Sequence, residues 1–332
     1  LCSYWMKFSK STIEYLYTPY IKACKAAVKE IESVKIDYSL ILKNKGKRNN
    51  NYFDISRGKS NVAYDIATIV KLGTLQEAIA LYHSLLQHVG NFYWWVCCID
   101  LESYNRIRAL QLPNITAVYI DNLVGSTLSG EIKSKPDANS LEKLKMYFMF
   151  SLLKNNYSIH KLIYMSSDFY LLTNLSDALN PGQDYNAILF KLNKINMSNQ
   201  IAVYDKDFIG LINCKDTVDL LEYCLDTLKG IFYLSEKVSK YLNPYIVEGI
   251  EYCSTFDDLK YYDTLIRNGN LYFNQRLIRC FHYSDNERFR DGKVRINRKA
   301  KSYLDKDLYN HIYERYHKAL NKARIEINGY YG

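Results

Sequence analysis

The segment from Lys161 to Leu179 constrains the fold of this chain more than any other, because in it a short apolar run stops at small polar residues and an acid. The run Leu162–Met165 has the length and apolar continuity of a strand that is covered on both faces. Two serines and Asp168 follow it, and residues 174–179 then favour a short helix. Asp168 is therefore expected beyond the carboxyl end of a strand, where open α/β sheets bind their ligands.

Upstream of this segment, apolar runs of strand length alternate with amphipathic stretches of helical length. Strands are predicted over 62–70, 92–99 and 115–120. Helices are predicted from Thr74, where Thr74-Leu-Gln-Glu77 has the spacing of a capping box, over 101–110, and from the N-cap residue Asp137 to 154. This alternation indicates βαβ units, so the sequence predicts an α/β fold with an open, mostly parallel sheet flanked by helices.

Beyond Asp168 the pattern changes. Strands are predicted over 186–192 and 201–212, a helix over 217–239, strands near the sheet edge over 271–273 and 277–283, and an amphipathic helix over 304–327. Trp94 and Trp95 fall inside a strand pattern and are expected in the core.

Three parts follow from these patterns. Residues 1–60 are predicted to form a helical N-terminal extension that ends in a basic linker over 43–51. Residues 61–290 are expected to form one α/β catalytic domain, because a chain of 332 residues can bury a full core. Residues 291–332 are expected to form a basic loop and a C-terminal helix.

The composition narrows the partners and the compartment. A net charge of +9 favours anionic partners such as nucleotide phosphates or an acidic membrane surface, and the 32 tyrosines suit a packed core or a groove that stacks sugars. No nucleic-acid motif accompanies the charge, so nucleic acid is not expected. The eight cysteines include no C-x-x-C pair, no apolar run reaches the roughly 20 residues of a membrane helix, and no secretory signal is recognisable. A cytoplasmic protein, with at most peripheral membrane contact, is expected.

Several short motifs occur in a characteristic order. Ser166-Ser167-Asp168 closes a strand, Asp205-Lys206-Asp207-Phe208 lies in a middle segment, and Phe281-His282-Tyr283-Ser284 ends a late strand. In this order, and over about residues 62–284, the chain resembles the GT-A-type nucleotide-sugar glycosyltransferases, especially glycogenin-like enzymes and their bacterial polysaccharide-building relatives. The family has two acids separated by one residue where this chain has Ser166 and Asp168, and Asn-x-Gly-Phe where it has Asp205–Phe208. Val70-Lys-Leu-Gly-Thr74 lacks the Gly-rich phosphate loop expected of a nucleotidyltransferase, the other α/β class considered.

The resemblance implies roles for particular residues. Asp168 and His282 would hold a divalent metal, Mn²⁺ or Mg²⁺, which stabilises the departing diphosphate. Thr68, Asp100, Lys145 and Ser166 would contact the nucleotide-sugar donor, and Asp205, Asp207 and Asp263 would contact the sugar or the acceptor. Five of these residues also have a structural alternative: Asp168, Thr68 and Asp100 could cap local structure, Lys145 could lie on a solvated helix face, and His282 could be a structural histidine.

The function implied by the resemblance is transfer of a hexose, with retention of anomeric configuration, to a glycan, lipid-linked or protein acceptor. The basic stretch from Arg276 to Lys301 could meet phosphates or anionic lipid, or could be solvated. The alternative is a degenerate, catalytically weak transferase-like domain that binds a glycan or a partner. Ser166 in place of an acid, together with the altered middle segment, motivates that alternative.

Overall fold

The computed structural model describes residues 62–134, 137–156, 158–180, 184–192, 203–227, 234–248, 251–252, 254–255, 259, 263–284, 287–288, 294–295 and 304–329. Their elements belong to one compact unit. The predicted helical extension and basic linker lie outside the described residues. The division of the chain into three parts stays a prediction.

A seven-stranded sheet organises this unit. Its strands are β1 Tyr64–Val70, β2 Phe92–Cys98, β3 Ile115–Tyr119, β4 Lys161–Met165, β6 Ala187–Leu192, β7 Val203–Ile212 and β8 Pro244–Glu248. A short strand outside this sheet, β5, spans Phe169–Leu171. The spatial order is β3-β2-β1-β4-β7-β6-β8. All neighbours are parallel except β7, which runs antiparallel to both β4 and β6. The predicted mostly parallel open sheet is therefore confirmed.

Helices connect and flank the strands. They are α1 Leu75–His88, α2 Leu101–Ala109, α3 Ile120–Leu123, α4 Ser126–Ser134, α5 Ala138–Asn155, α6 Ser176–Leu179, α7 Lys215–Thr227, α8 Leu234–Tyr241, α9 Lys306–Tyr309 and α10 Arg315–Gly329, with a π-helical turn, Asn310–Glu314, between the last two. No helix among the described residues is both long and apolar enough to cross a membrane.

Alternate residues of the central strands enter two separate apolar clusters, one on each face of the sheet. Ile66 and Trp94 pack into the cluster that includes residues of α1 and α10. Ala67 and Trp95, their neighbours in sequence, pack into the cluster beneath α5, α7 and α8. Both tryptophans are fully buried, which confirms their predicted core position and explains why these strands read as continuous apolar runs.

Helices α1 and α5 begin at the predicted positions, but only α5 uses the predicted cap. Asp137 caps α5 by accepting a hydrogen bond from the Ser140 amide at 2.6 Å. At α1 the predicted capping box is wrong, because the Thr74 side chain makes no cap bond and its hydroxyl instead donates to the Lys71 carbonyl at 3.2 Å. Glu77, the acid of that pattern, is fully buried.

In the C-terminal half, two predictions are wrong and one strand of the main sheet is not predicted. The single helix predicted over 217–239 is two helices, α7 and α8, and residues 228–233 between them lie outside the described residues. The edge strand β8 is not predicted at all, since it is short and begins with a proline. The strand predicted over 277–283 is divided between two small sheets rather than lying at the edge of the main one.

Because residues 277–283 are divided between two sheets, the second of the two strands pairs with β5. Strands β9 Thr264–Arg267, β10 Asn270–Phe273 and β11 Arg276–Leu277 form an antiparallel sheet, β12 Cys280–His282 pairs with β5, and β13 Glu287–Arg288 pairs with β14 Val294–Arg295. The chain changes partner where Ile278 donates to the Leu271 carbonyl (2.8 Å) and Arg279 to that of Glu251 (2.6 Å). Strand β12 consequently lies antiparallel to β5, the strand that follows Asp168.

The C-terminal helical segment supports this two-stranded ladder. The hydroxyl of Tyr283, which follows β12, donates to the Ile312 carbonyl at 2.8 Å. The rings of Tyr283 and Tyr316 are stacked with centroids 3.8 Å apart. A third apolar cluster, rich in tyrosine, therefore holds β5 and β12 against the C-terminal helix.

Candidate functional site

Asp168 lies in the turn between β4 and β5, beyond the carboxyl end of a central strand, as the sequence predicts. The turn is tied to its neighbours by backbone hydrogen bonds. The Ser166 amide donates to the Asp207 carbonyl on β7 (2.9 Å), and the Tyr283 amide donates to the Asp168 carbonyl (2.9 Å). The position of the Asp168 carboxylate is thus fixed by contacts on both sides.

Two side chains converge on one oxygen of Asp168. The Ser166 hydroxyl donates to Oδ1 at 2.5 Å. Nε2 of His282 lies 3.2 Å from the same oxygen, and both side chains are about nine-tenths buried, at 10% exposure for Asp168 and 8% for His282. The acid and the imidazole that the resemblance assigns to a metal therefore lie side by side.

His282 is oriented by its surroundings. Its ring is stacked on Phe169 with centroids 4.2 Å apart, and its amide donates to the Ser254 carbonyl at 2.7 Å. Nε2 is buried, and its contact with Oδ1 of Asp168 is that of an ion pair. Burial lowers the pKa of His282, but the carboxylates of Asp168, Asp205 and Asp207 outweigh that effect and raise it to about 9.

Two further acids approach from the antiparallel strand β7. Asp205 and Asp207 are two residues apart and so lie on the same side of that strand. Asp205 Oδ1 accepts a hydrogen bond from the Asp207 amide (2.6 Å), and its Oδ2 lies 3.9 Å from Nδ1 of His282. Burial and the neighbouring Asp205 raise the pKa of Asp207 to about 6, although His282 and Lys145 favour the ionised form.

Lys145 is buried beside this group rather than on a solvated helix face. Its ammonium lies 2.6 Å from Oε2 of Glu142 and donates to the Lys206 carbonyl at 2.7 Å. It also lies 5.1 Å from the ring centroid of Tyr164. Glu142 and Tyr164 are not predicted as site residues, although the spacing of Glu142 and Lys145 on α5 is that of a helical ion pair.

The structure keeps three of the predicted site residues out of this group. Thr68 is fully buried and its hydroxyl accepts a hydrogen bond from the Trp94 indole at 3.0 Å, so it offers no surface to a nucleotide. Asp100 caps α2 through the Ser103 amide (2.7 Å) and accepts from the Leu72 amide (2.8 Å). Asp263 is exposed at the start of β9, where its backbone pairs with Asn274.

The group of Ser166, Asp168, Asp205, Asp207 and His282 is called the carboxylate cluster below. Among the described residues no set of three or more histidine, cysteine or acidic side chains is arranged to enclose a metal ion. Asp168 supplies one oxygen donor, and His282 supplies one nitrogen donor when its imidazole is neutral. Mg²⁺ and similar ions are commonly held by one or two protein ligands together with substrate phosphates and water.

Comparisons with known proteins give distant likenesses. No family model matches the chain. The uncharacterized protein YfnD of Bacillus subtilis is 20% identical over 245 residues, which cover 67% of this chain and 77% of that protein.

Similar solved structures are those of glycosyltransferases. The galactosyltransferase LgtC in complex with donor and acceptor sugar analogs has a TM-score of 0.48 and 12% identity, over 78% of this chain and 95% of that one. The bifunctional glycosyltransferase WbbM has a TM-score of 0.48 and 10% identity, over 82% of this chain and 52% of that one. At this level of likeness these proteins do not assign an activity to the chain.

Proposed function

We propose that this chain is a glycosyltransferase that moves a sugar from a nucleotide-diphosphate donor to a glycan, lipid-linked or protein acceptor with the help of a divalent metal. The observation that carries the proposal is the approach of Nε2 of His282 to Oδ1 of Asp168, 3.2 Å apart at the carboxyl end of a central strand. The two residues belong to motifs that are far apart in sequence and that both resemble metal-binding motifs of the GT-A family.

Asp168 and His282 would hold Mn²⁺ or Mg²⁺. A bound cation would neutralise negative charge on the departing diphosphate while the anomeric carbon becomes cation-like. Ser166 donates to Asp168 and thereby fixes the orientation of the carboxylate. Because Ser166 stands where relatives have an acid, the site has one negative charge fewer to attract the ion.

Asp207 is the strongest of the three proposed sugar or acceptor contacts. Asp205 already binds the Asp207 amide through one oxygen, and Asp263 is exposed on another sheet. Among the described residues, no group forms a hydrogen bond with the Asp207 carboxyl group. With a pKa of about 6 it is mostly ionised near neutral pH and can accept a hydrogen bond from a sugar hydroxyl.

Lys145 has a positioning role in this proposal. Since its ammonium is bonded to Glu142 and to the Lys206 carbonyl, it holds the β7 backbone between the two acids of that strand. It also favours ionisation of Asp207. We expect it to act on the donor through Asp207 and not by direct contact with the diphosphate.

The test is a donor-hydrolysis screen across nucleotide sugars with and without Mn²⁺, on the full chain, on Asp168→Asn and on Asp226→Asn. Asp226 is an exposed acid on α7 and serves as the matched control. Metal-dependent hydrolysis that Asp168→Asn abolishes and Asp226→Asn retains supports the proposal; equal hydrolysis by both variants refutes the metal assignment. Retention of configuration is tested by the anomeric form of the product in NMR.

A binding module is the second candidate function. It is favoured by the serine at 166 and by the altered middle segment from Asp205 to Phe208. Calorimetry with a nucleoside diphosphate and Mn²⁺ separates the two. Binding of the nucleotide that requires the metal supports the transferase, whereas its absence together with binding of a glycan supports the module.

A further inference from the structure

A groove of about 690 Å³ lies between α1 and the C-terminal helical segment. It is separate from the carboxylate cluster, because successive residues of a strand point to opposite sides. Phe169 stacks on His282 of the cluster, whereas Tyr170, the next residue of β5, lines the groove. A volume of this size is typical of small-molecule sites.

One wall of the groove is a basic stripe. His311, Arg315, Lys318 and Lys322 follow one another at intervals of four, three and four residues, the spacing of one face of a helix, and all of them line the groove. The stripe begins in the π-helical turn, a rare element that occurs frequently at functional sites.

The cations of this stripe have no acidic partner among the described residues. No carboxylate of the described residues lies within ion-pair distance of Arg315, Lys318 or Lys322, and Arg315 is placed over the Tyr170 ring, 5.9 Å from its centroid. Glu326, which lines an adjoining pocket with Lys318 and Lys322, is already bonded to His83 of α1 at 2.7 Å. Arg315, Lys318 and Lys322 thus present positive charge to the groove without an ion-pair partner among the described residues.

His311 adds an unused polar atom. Its Nε2 is buried and has no hydrogen-bond partner in the part of the chain that the structure describes. Such an atom costs free energy unless a ligand or water satisfies it. Burial and the adjacent Arg315 both lower the pKa of His311, which is consistent with a positive potential at this position.

We propose that this groove is a binding site for a phosphorylated small molecule, with the phosphoryl group held by Arg315, His311 and Lys318. Arginine matches the geometry of phosphate oxygens through two parallel hydrogen bonds, and lysine adds a point charge. The volume exceeds that of an inorganic phosphate, and Leu86 and Tyr170 supply apolar surface for the remainder of the ligand. Leu86 is 42% exposed.

The test is titration of the full chain with inorganic phosphate and with glucose 1-phosphate in EDTA, followed by calorimetry. EDTA removes metal-dependent binding at the carboxylate cluster, so the result does not depend on the proposed transferase activity. We expect saturable binding that Arg315→Gln weakens at least about tenfold and Lys318→Gln about threefold. Arg324→Gln, which removes the same charge from an exposed position elsewhere on α10, should leave the affinity unchanged.

NMR titration of His311 distinguishes binding in this groove from a general attraction of phosphate to the positively charged surface. Glucose 1-phosphate should raise the pKa of His311 in NMR titrations of the wild type and leave it unchanged in Lys318→Gln/Arg315→Gln. Lys318 is exposed, so Lys318→Gln alone keeps the test valid if changes at Arg315 impair folding.

Three results would overturn the proposal. They are absence of saturable binding, equal weakening by Arg324→Gln, and an Arg315-dependent association with phosphatidic acid vesicles without any binding of the two soluble probes. The last result would assign the stripe to a membrane headgroup instead of a soluble phosphate.

Discussion

Nε2 of His282 lies 3.2 Å from Oδ1 of Asp168, although the two residues belong to strands that are distant in sequence. The contact exists because β12 pairs with β5 and Tyr283 donates to the Asp168 carbonyl. The same oxygen of Asp168 accepts from Ser166.

Replacing Ser166 with aspartate should strengthen metal binding. The Ser166 hydroxyl is in direct contact with Asp168, so a carboxylate there would add a hard oxygen donor and a negative charge beside it. We expect the affinity for Mn²⁺ to rise by about tenfold or more, measured by calorimetry. Ser166→Asn, which has the same shape without the charge, is the control; equal affinities for the two variants would show that residue 166 does not face the ion.

Replacing Asp207 with asparagine should make the metal-free protein increasingly stable relative to the wild type as the pH rises. The folded-state pKa of about 6 lies above the ordinary 3.8, so the stability that the neutral form contributes is complete below pH 3.8 and is lost as the pH rises through 6. We expect the difference in free energy of unfolding between Asp207→Asn and the wild type, measured in EDTA, to increase in favour of the variant by on the order of 2 kcal/mol between about pH 4 and about pH 7. Urea unfolding at several pH values measures the difference, which would be constant if Asp207 did not titrate in this range.

Removing the Lys145 ammonium should be strongly destabilising. Lys145 and Glu142 are 2% and 8% exposed, so Lys145→Met leaves a buried carboxylate without its cation, at a cost of about 3–5 kcal/mol. Lys154→Met is the matched control, because its pair with Glu222 is exposed (46% and 42%) and should cost no more than about 1 kcal/mol. Chemical denaturation compares the two.

The double variant of the buried pair separates the charge effect from lost packing. Lys145→Met combined with Glu142→Gln should recover part of the loss, since no buried charge remains. If the double variant is less stable than Lys145→Met alone, the ion pair is not the source of the effect.

Replacing Gly210 with alanine should destabilise the strand pair that carries Asp205 and Asp207. A Cβ atom at Gly210 would lie 2.9 Å from Cβ of Ile188, its partner in the register of β6 and β7. We expect a loss of about 1–3 kcal/mol in the free energy of unfolding. Gly130→Ala in the helix α4, where nothing lies within 4 Å of the added atom, should instead stabilise by about 0.5–1 kcal/mol. Thermal unfolding that ranks the two variants in the opposite order would contradict the register.

Local pattern was sufficient for the N-terminal half of the sheet. The strands β1 to β4 and the helices α1, α2 and α5 occur where apolar runs and helical periodicity predict them, because both are properties of consecutive residues. The helices α3 and α4, between β3 and β4, are not predicted. The position of Asp168 beyond a strand end follows from the same pattern. The capping box at Thr74 failed because a sequence spacing does not determine whether the side chain finds its amide or another partner.

The sequence pattern does not predict which strands pair with one another. The apolar run over 277–283 is continuous in sequence, yet β11 and β12 belong to different sheets because the backbone exchanges hydrogen-bond partners at Ile278 and Arg279. Thr68 and Asp100 are predicted either to contact the donor or to cap local structure; the Asp100 side chain caps a helix, and the Thr68 hydroxyl bonds to Trp94 in the core. Exposure and side-chain partners are set by neighbours that a linear pattern does not identify.

The amino-acid sequence by itself determined the strands β1 to β4, the helices α1, α2 and α5, and the position of an acid after a central strand, since these depend on side-chain periodicity along one segment. Only the tertiary structure decided that β7 enters the sheet antiparallel and that β12 returns to β5, which together bring two more acids and an imidazole to Asp168. Strand pairing joins backbone groups that are identical in every residue, so its choice depends on how the whole chain packs.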